Sequence, residues 1–98
     1  MTGFNERFRF YRYREEHYFK WHKDGTFIRS DTEESMLTFL IYLSDDFEQG
    51  QTEFPWEKIQ PKAGMALVFP HRLSHRANNV LNGTKYVLRT DVMYSEIE

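Results

Sequence analysis

The chain has 98 residues, enough for a single domain over residues 1–98 with a small core. It contains no cysteine, which excludes disulfides and thiolate metal sites, and its net charge of −2 argues against a nucleic-acid partner. No apolar run approaches the roughly 20 residues of a membrane span, so no membrane partner is expected, and the absence of cysteine fits a cytoplasmic location. Nine Phe, six Tyr and two Trp favour a β-sheet protein.

The first predicted strands are rich in aromatic residues. One covers residues 8–14, and after a polar break at Glu15 and Glu16 a second covers residues 18–24. Residues 26–35 show no periodicity, and we expect them to form an exposed loop that can contact a substrate.

The strongest strand signal covers residues 36–43, where apolar side chains occur at nearly every position. This pattern predicts a strand that is covered on both faces. Shorter strands are predicted at residues 50–54, 65–69 and 76–81, and a last strand at residues 85–94. Seven or eight strands separated by turns, with no helix of normal length, indicate an all-β sandwich or barrel.

A histidine and an aspartate end the second predicted strand. Side chains two positions apart in a strand point to the same face, so His22 and Asp24 can bind one metal ion together. His71 and His75, after the strand at residues 65–69, are two candidates for a third ligand. Two His and one carboxylate with open positions are typical of non-heme Fe(II) oxygenases, and zinc is the alternative metal.

The last predicted strand carries two cations on one face. Lys85, Val87 and Arg89 share that face, and burying a cation is costly unless it meets an anion or water. One interpretation is a structural ion pair with an acidic residue of a neighbouring strand. The other is that one cation receives the carboxylate of a small molecule bound to the metal, with tyrosines donating further hydrogen bonds.

Several segments in the same order make the chain similar to a known family. From about residue 8 to residue 94 it resembles the prolyl-4-hydroxylase-like branch of the 2-oxoglutarate/Fe(II)-dependent oxygenases. The segments that carry the resemblance are His22-Lys23-Asp24, residues 40–44, 50–54 and 61–69, and His75 followed by Lys85 within residues 83–92.

The resemblance implies a fold and a role for each candidate residue. The fold is a double-stranded β-helix, or jelly-roll barrel, in a minimal form without the family's usual N-terminal helices. By this resemblance, His71 is a surface residue or a neighbour of the ligands, and Arg89 makes a structural ion pair or contacts the substrate. The family's site residues fall on His22, Asp24 and His75 for iron, and on Lys85, Tyr13 and Tyr42 for the C5 carboxylate of 2-oxoglutarate.

The resemblance also implies an activity. A family member hydroxylates its substrate with Fe(II), 2-oxoglutarate and O2, releases succinate and CO2, and is supported by ascorbate. The substrate class stays open between small molecules and proteins or peptides. Two alternatives differ in class: a truncated, metal-binding barrel that acts as a non-catalytic binding or oligomerisation module, for example as a homodimer, and a cupin-like barrel with another metal.

Overall fold

The computed structural model describes residues 2–14 and 17–95, which form β-strands and no helix. It follows that none of these residues belongs to a helix able to cross a membrane. Glu15 and Glu16, the predicted polar break, lie outside the described residues. The strands are β1 (Gly3–Phe4), β2 (Arg9–Tyr13), β3 (Phe19–His22), β4 (Ile28–Ser30), β5 (Glu33–Tyr42), β6 (Glu48–Gln49), β7 (Thr52–Phe54), β8 (Glu57–Ile59), β9 (Ala66–Pro70), β10 (His75–Ala77), β11 (Val80–Leu81) and β12 (Lys85–Ser95).

The two longest strands, β5 and β12, form the centre of the main sheet. They pair antiparallel, β1 and β2 pair along the other edge of β12, and β4 and β9 pair along the other edge of β5. Apolar, aromatic and β-branched residues dominate both central strands, and such residues fit a pleated surface.

The register of β2, β12 and β5 divides the side chains of the main sheet between two faces. Val87 lies opposite Tyr11 and Tyr42, and Leu88 lies opposite Phe10 and Ile41. Residues directly opposite one another point to the same face. We call the Val87 side the inner face and the Leu88 side the outer face.

A smaller sheet lies across the inner face. Its strand order is β3-β10-β7-β8, and β6 and β11 form a separate two-stranded ribbon. Side chains from the main sheet and the smaller sheet line one cavity between them. Two antiparallel sheets that enclose a common interior agree with the predicted all-β barrel.

Two local predictions are wrong. Residues 26–35 are not an irregular loop, because β4 and the start of β5 form a hairpin there. The Ser35 side chain explains the pairing: its Oγ accepts a hydrogen bond from the Phe27 N–H at 2.7 Å, and the Ser35 N–H donates to the Phe27 carbonyl at 2.8 Å. The strand at residues 36–43 is also not fully covered, since Leu37, Phe39 and Ile41 on the outer face are only half-buried.

Candidate active site

Three predicted metal ligands meet at one end of the cavity. His22 ends β3 and lies directly opposite His75, which begins β10. The Nε2 atoms of the two rings lie 3.5 Å and 3.6 Å from Oδ1 of Asp24, and one ligand atom from each residue lies within 4.8 Å of the others. Imidazole nitrogens and a carboxylate oxygen at this spacing can surround one metal ion.

Backbone carbonyls determine which ring nitrogen faces the metal position. Nδ1 of His22 lies 2.6 Å from the Lys20 carbonyl, and Nδ1 of His75 lies 2.9 Å from the Leu73 carbonyl. A carbonyl only accepts hydrogen bonds, so each Nδ1 carries a proton, and in the neutral ring Nε2 is then the nitrogen with the lone pair next to Asp24. Burial lowers the pKa of His75, which favours the same neutral form.

Asp24 is held from both its backbone and its side chain. β3 already ends at His22, so strand alternation does not orient Asp24. Instead, the Asp24 N–H donates to the His71 carbonyl at 3.1 Å, and Oδ2 accepts a hydrogen bond from Thr38 Oγ1 at 2.5 Å. The contacts with both histidines involve the other oxygen, Oδ1.

His71 is neither a surface residue nor a member of the cluster. It is 5% exposed, and its ring lies between Ser35 Oγ and Thr38 Oγ1, each 2.8 Å from a ring nitrogen. Burial lowers its pKa. The sequence pattern left His71 and His75 as candidates for the third ligand. In the structure His75 lies next to Asp24, and His71 lies behind Asp24 with Thr38 between them.

Lys85 lies deep in the same cavity. The residue is 2% exposed, and its Nζ donates a hydrogen bond to the Gly50 carbonyl at 2.7 Å. Across residues 2–14 and 17–95, no carboxylate oxygen lies within 4.0 Å of this Nζ. Burial without an anion lowers the pKa of Lys85 to about 8.

Two predicted tyrosines flank this lysine. Nζ of Lys85 is 4.9 Å from the ring centroid of Tyr13, its cross-strand partner, and 5.8 Å from that of Tyr42. The Tyr42 hydroxyl forms a hydrogen bond with Thr52 Oγ1 at 2.5 Å. Burial raises the pKa of both tyrosines to about 12, so both are neutral phenols at pH 7 and can donate hydrogen bonds.

Arg89 has carboxylate partners, unlike Lys85. Its Nη1 lies 3.4 Å from Asp24 Oδ1, and its Nη2 lies 3.3 Å from Asp91 Oδ1. The inner-face cations therefore differ. Arg89 makes ion pairs, but with Asp91 of its own strand and with Asp24 beyond the end of β3, not with an acidic residue of a neighbouring strand as predicted. It also lines the cavity.

The cavity contains residues that the sequence did not single out. The centroids of the Phe19 and His22 rings lie 4.4 Å apart. Thr38 is hydrogen-bonded to Asp24, and Thr52 to Tyr42. Arg76 also lines the cavity. No residue of the described segment 26–35, which was expected to contact a substrate, lines this cavity.

Solved structures with the same arrangement of sheets define the fold class. The chain superposes on a viral collagen prolyl hydroxylase from Paramecium Bursaria Chlorella virus-1 with a TM-score of 0.69 and 24% identity, over 90% of this chain and 60% of that one. A prolyl-4-hydroxylase from Pseudomonas putida gives a TM-score of 0.69 at 18% identity, over 92% of this chain and 52% of that one. A cupin from Desulfovibrio desulfuricans gives a TM-score of 0.61 at 14% identity, over 94% of this chain and 74% of that one. The predicted double-stranded β-helix is confirmed.

The family follows from the sequence itself. The family model described as the 2OG-Fe(II) oxygenase superfamily matches residues 8–90, and the chain belongs to this superfamily. The predicted family membership is therefore confirmed. No curated protein matches the chain. The chain spans 60% of the length of the viral enzyme and 52% of that of the bacterial one.

Proposed function

We propose that the chain is a dioxygenase that uses Fe(II), 2-oxoglutarate and O2 to hydroxylate its substrate. The observation that carries this proposal is the pairing of two features in one cavity. They are the His22-Asp24-His75 cluster and the buried Lys85, which has no carboxylate partner in the described part of the chain. In the overall reaction, one atom of O2 enters the hydroxylated product and the other enters succinate, as 2-oxoglutarate loses CO2.

The cluster has the donor set that suits Fe(II). Two imidazoles and one carboxylate form the facial triad of non-heme iron oxygenases, which leaves positions open for other ligands. The two Nε2 lone pairs and Asp24 Oδ1 already converge, since the nitrogen–oxygen distances are 3.5 Å and 3.6 Å. We propose that His22, Asp24 and His75 hold the iron, which supplies the oxidising chemistry once it has bound 2-oxoglutarate and O2.

Lys85 fits the remote carboxylate of 2-oxoglutarate. An ammonium group has three donors, and one of them binds the Gly50 carbonyl, so two donors are left for an anion. A carboxylate bound there would compensate the buried charge through charge-assisted hydrogen bonds. We propose that Tyr13 and Tyr42 line the same subsite and orient that carboxylate through their neutral hydroxyl groups.

The substrate proposal rests on the named neighbours. Two similar structures are a collagen prolyl hydroxylase and a prolyl-4-hydroxylase. We therefore propose a proline-containing peptide as the first substrate class to test, with other protein side chains and small molecules next.

The proposal is tested by succinate formation without added substrate. The purified chain with Fe(II), ascorbate, O2 and 2-oxoglutarate is expected to form succinate slowly, and Asp24→Ala should abolish this because the ion loses its only carboxylate ligand. Asp31→Ala, at an exposed aspartate of the β4–β5 turn, is the matched control and should retain the wild-type rate.

Two outcomes would contradict the proposal. Full turnover by Asp24→Ala would exclude Asp24 as an iron ligand. Metal binding by the wild-type chain without any succinate would favour the non-catalytic binding module instead.

A further inference from the structure

Three buried polar side chains lie behind Asp24, and the proposed chemistry does not use them. Ser35 and Thr38 on β5 are each 1% exposed, and His71, just after β9, is 5% exposed. Burying a polar group costs free energy unless it is hydrogen-bonded, and each of the three is bonded to the next.

The donor and acceptor of each hydrogen bond in this series can be assigned by starting from Asp24. The Asp24 carboxylate only accepts, so the Thr38 hydroxyl must donate its single hydrogen to Oδ2. The contact between Thr38 Oγ1 and Nδ1 of His71 then requires that Nδ1 donates. A neutral His71 accepts at Nε2 from the Ser35 hydroxyl, and Ser35 Oγ in turn accepts from the Phe27 N–H.

Every donor in this sequence therefore points towards Asp24. The order runs from the Phe27 N–H through Ser35, His71 and Thr38 to Oδ2. If the order were reversed, Thr38 Oγ1 and Asp24 Oδ2 would be two acceptors 2.5 Å apart, which is repulsive. His71 also holds the other end of the aspartate, because its carbonyl accepts from the Asp24 N–H.

The two oxygens of Asp24 consequently have different partners. Oδ2 is bonded to Thr38, whereas Oδ1 faces His22, His75 and Arg89 at 3.4–3.6 Å. The Thr38 hydroxyl uses one of the two lone pairs of Oδ2 and holds this oxygen towards β5, so Oδ1 is the oxygen that is turned towards both histidines. A carboxylate free to rotate can bind through both oxygens and occupy an additional position on the ion.

We infer that Thr38 and His71 are positioning residues that make Asp24 a one-oxygen ligand. Thr38 occupies Oδ2 directly, and His71 orients the Thr38 hydroxyl while its backbone carbonyl fixes Asp24. One-oxygen binding keeps three positions of a six-coordinate ion open beside His22 and His75. The inference rests on the metal centre of the proposed function but not on turnover.

The alternative is that these side chains merely satisfy one another in the core. Removing a core hydrogen bond lowers folding stability without a specific effect on metal affinity. Groups that orient metal ligands behave differently, since their loss typically weakens metal binding by about 10- to 100-fold.

The first test is Mn(II) binding by the full chain, measured from the EPR signal of the free ion. Thr38→Val keeps the shape of the side chain but removes the hydroxyl, and we expect Mn(II) binding weaker by about 10- to 100-fold. Thr38→Ser restores the hydroxyl and should bind within about threefold of the wild-type chain. Thermal unfolding and circular dichroism without metal verify that each variant is folded.

The second test addresses His71. His71→Asn offers an amide N–H in place of Nδ1–H, so it should bind Mn(II) more tightly than His71→Leu, which offers none. In the double variant Thr38→Val/His71→Leu, the losses should not add, because His71 acts on the metal through Thr38. Additive losses would indicate two independent packing effects and overturn the inference.

The remaining outcomes separate this inference from the proposed function. A folded Thr38→Val variant with wild-type Mn(II) affinity would overturn the inference alone. Wild-type Mn(II) binding without succinate formation would overturn the hydroxylase proposal, and the variants would still decide the role of Thr38. A wild-type chain that binds no Mn(II) or Fe(II) would overturn both.

Discussion

The inner and outer faces of the main sheet come from the same strands but differ in which side chains they bury and expose. The inner face buries charged and hydroxyl groups, among them Lys85, Thr38 and Tyr42. The outer face is mostly apolar yet partly open to solvent, with Phe10 60% exposed and Val68 47% exposed. In a protein arranged only for stability, these two populations would be exchanged.

This contrast shows where stability and chemistry conflict. A buried ammonium without an anion opposes folding, and an exposed apolar face leaves hydrophobic stabilisation unused. The first is understandable if the inner face is arranged to receive an anionic cosubstrate. The comparison therefore predicts that removing the Lys85 charge affects cosubstrate binding and stability in opposite directions, whereas changes at exposed outer-face positions affect neither strongly.

The largest effect is expected from Lys85→Met. It removes the proposed carboxylate partner and should weaken 2-oxoglutarate binding by about 2–5 kcal/mol, or at least 30-fold, as measured by calorimetric titration. Replacing a buried charge with an apolar side chain of similar length should also stabilise the cosubstrate-free protein. A gain of about 1 kcal/mol corresponds to a rise in Tm of roughly 4–8 °C.

Lys85→Arg is the matched variant for that experiment, because it retains the charge. It should keep more affinity for 2-oxoglutarate than Lys85→Met and should not raise Tm. If Lys85→Met bound 2-oxoglutarate as tightly as the wild-type chain, the assignment of the carboxylate subsite would be wrong.

The next effect is a pH dependence of cosubstrate binding. In the free protein the pKa of Lys85 is about 8, and binding of an anion requires the protonated form. Affinity for 2-oxoglutarate should therefore be constant below pH 8 and fall by up to about tenfold per pH unit above it, until the pKa of the bound form is reached. Titrations at several pH values measure this, and Lys85→Arg should give a flatter profile.

The same lysine should change folding stability in the opposite direction. Its pKa falls from 10.5 in the unfolded chain to about 8 in the folded one. Between these values the unfolded state binds more protons, so the contribution of Lys85 to the free energy of unfolding rises with pH. Denaturant unfolding without cosubstrate, compared with Lys85→Met, isolates this contribution.

The smallest effect is expected on the outer face. Val68→Lys places a charge on an exposed position of β9, and the free energy of unfolding should change by about 0.5 kcal/mol or less. Mn(II) and 2-oxoglutarate binding should be unchanged. Sedimentation of the wild-type chain and Val68→Lys at equal concentration then measures whether the chain forms a dimer through this face, since an added charge would dissociate such a dimer.

Local periodicity was enough to predict the part of the site that lies on β12. Alternation placed Lys85, Val87 and Arg89 together, and the structure has all three lining the cavity. Alternation also predicted that His22 and Asp24 lie together, which is correct, but strand geometry is not what places Asp24. β3 ends at His22, and the His71 carbonyl, rather than strand geometry, holds Asp24 in position.

The parts that were missed depend on contacts between distant residues. Ser35 and His71 are 36 positions apart, and Thr38 and His71 are 33 apart, so no local pattern indicates that they meet. The β4–β5 hairpin was missed because the Ser35 side chain, rather than an alternating apolar pattern, closes it on Phe27. Such pairings are decided by the three-dimensional register of the sheets.

The direct pairing of His22 with His75 has a consequence for motion. β3 has four residues, three of them exposed, and within the described part of the chain it pairs only with β10. Short, exposed edge strands open most readily in native proteins. A metal ion bound by both histidines would link β3 to β10 across the ladder, so the strand that presents one ligand would become rigid only when the site is filled.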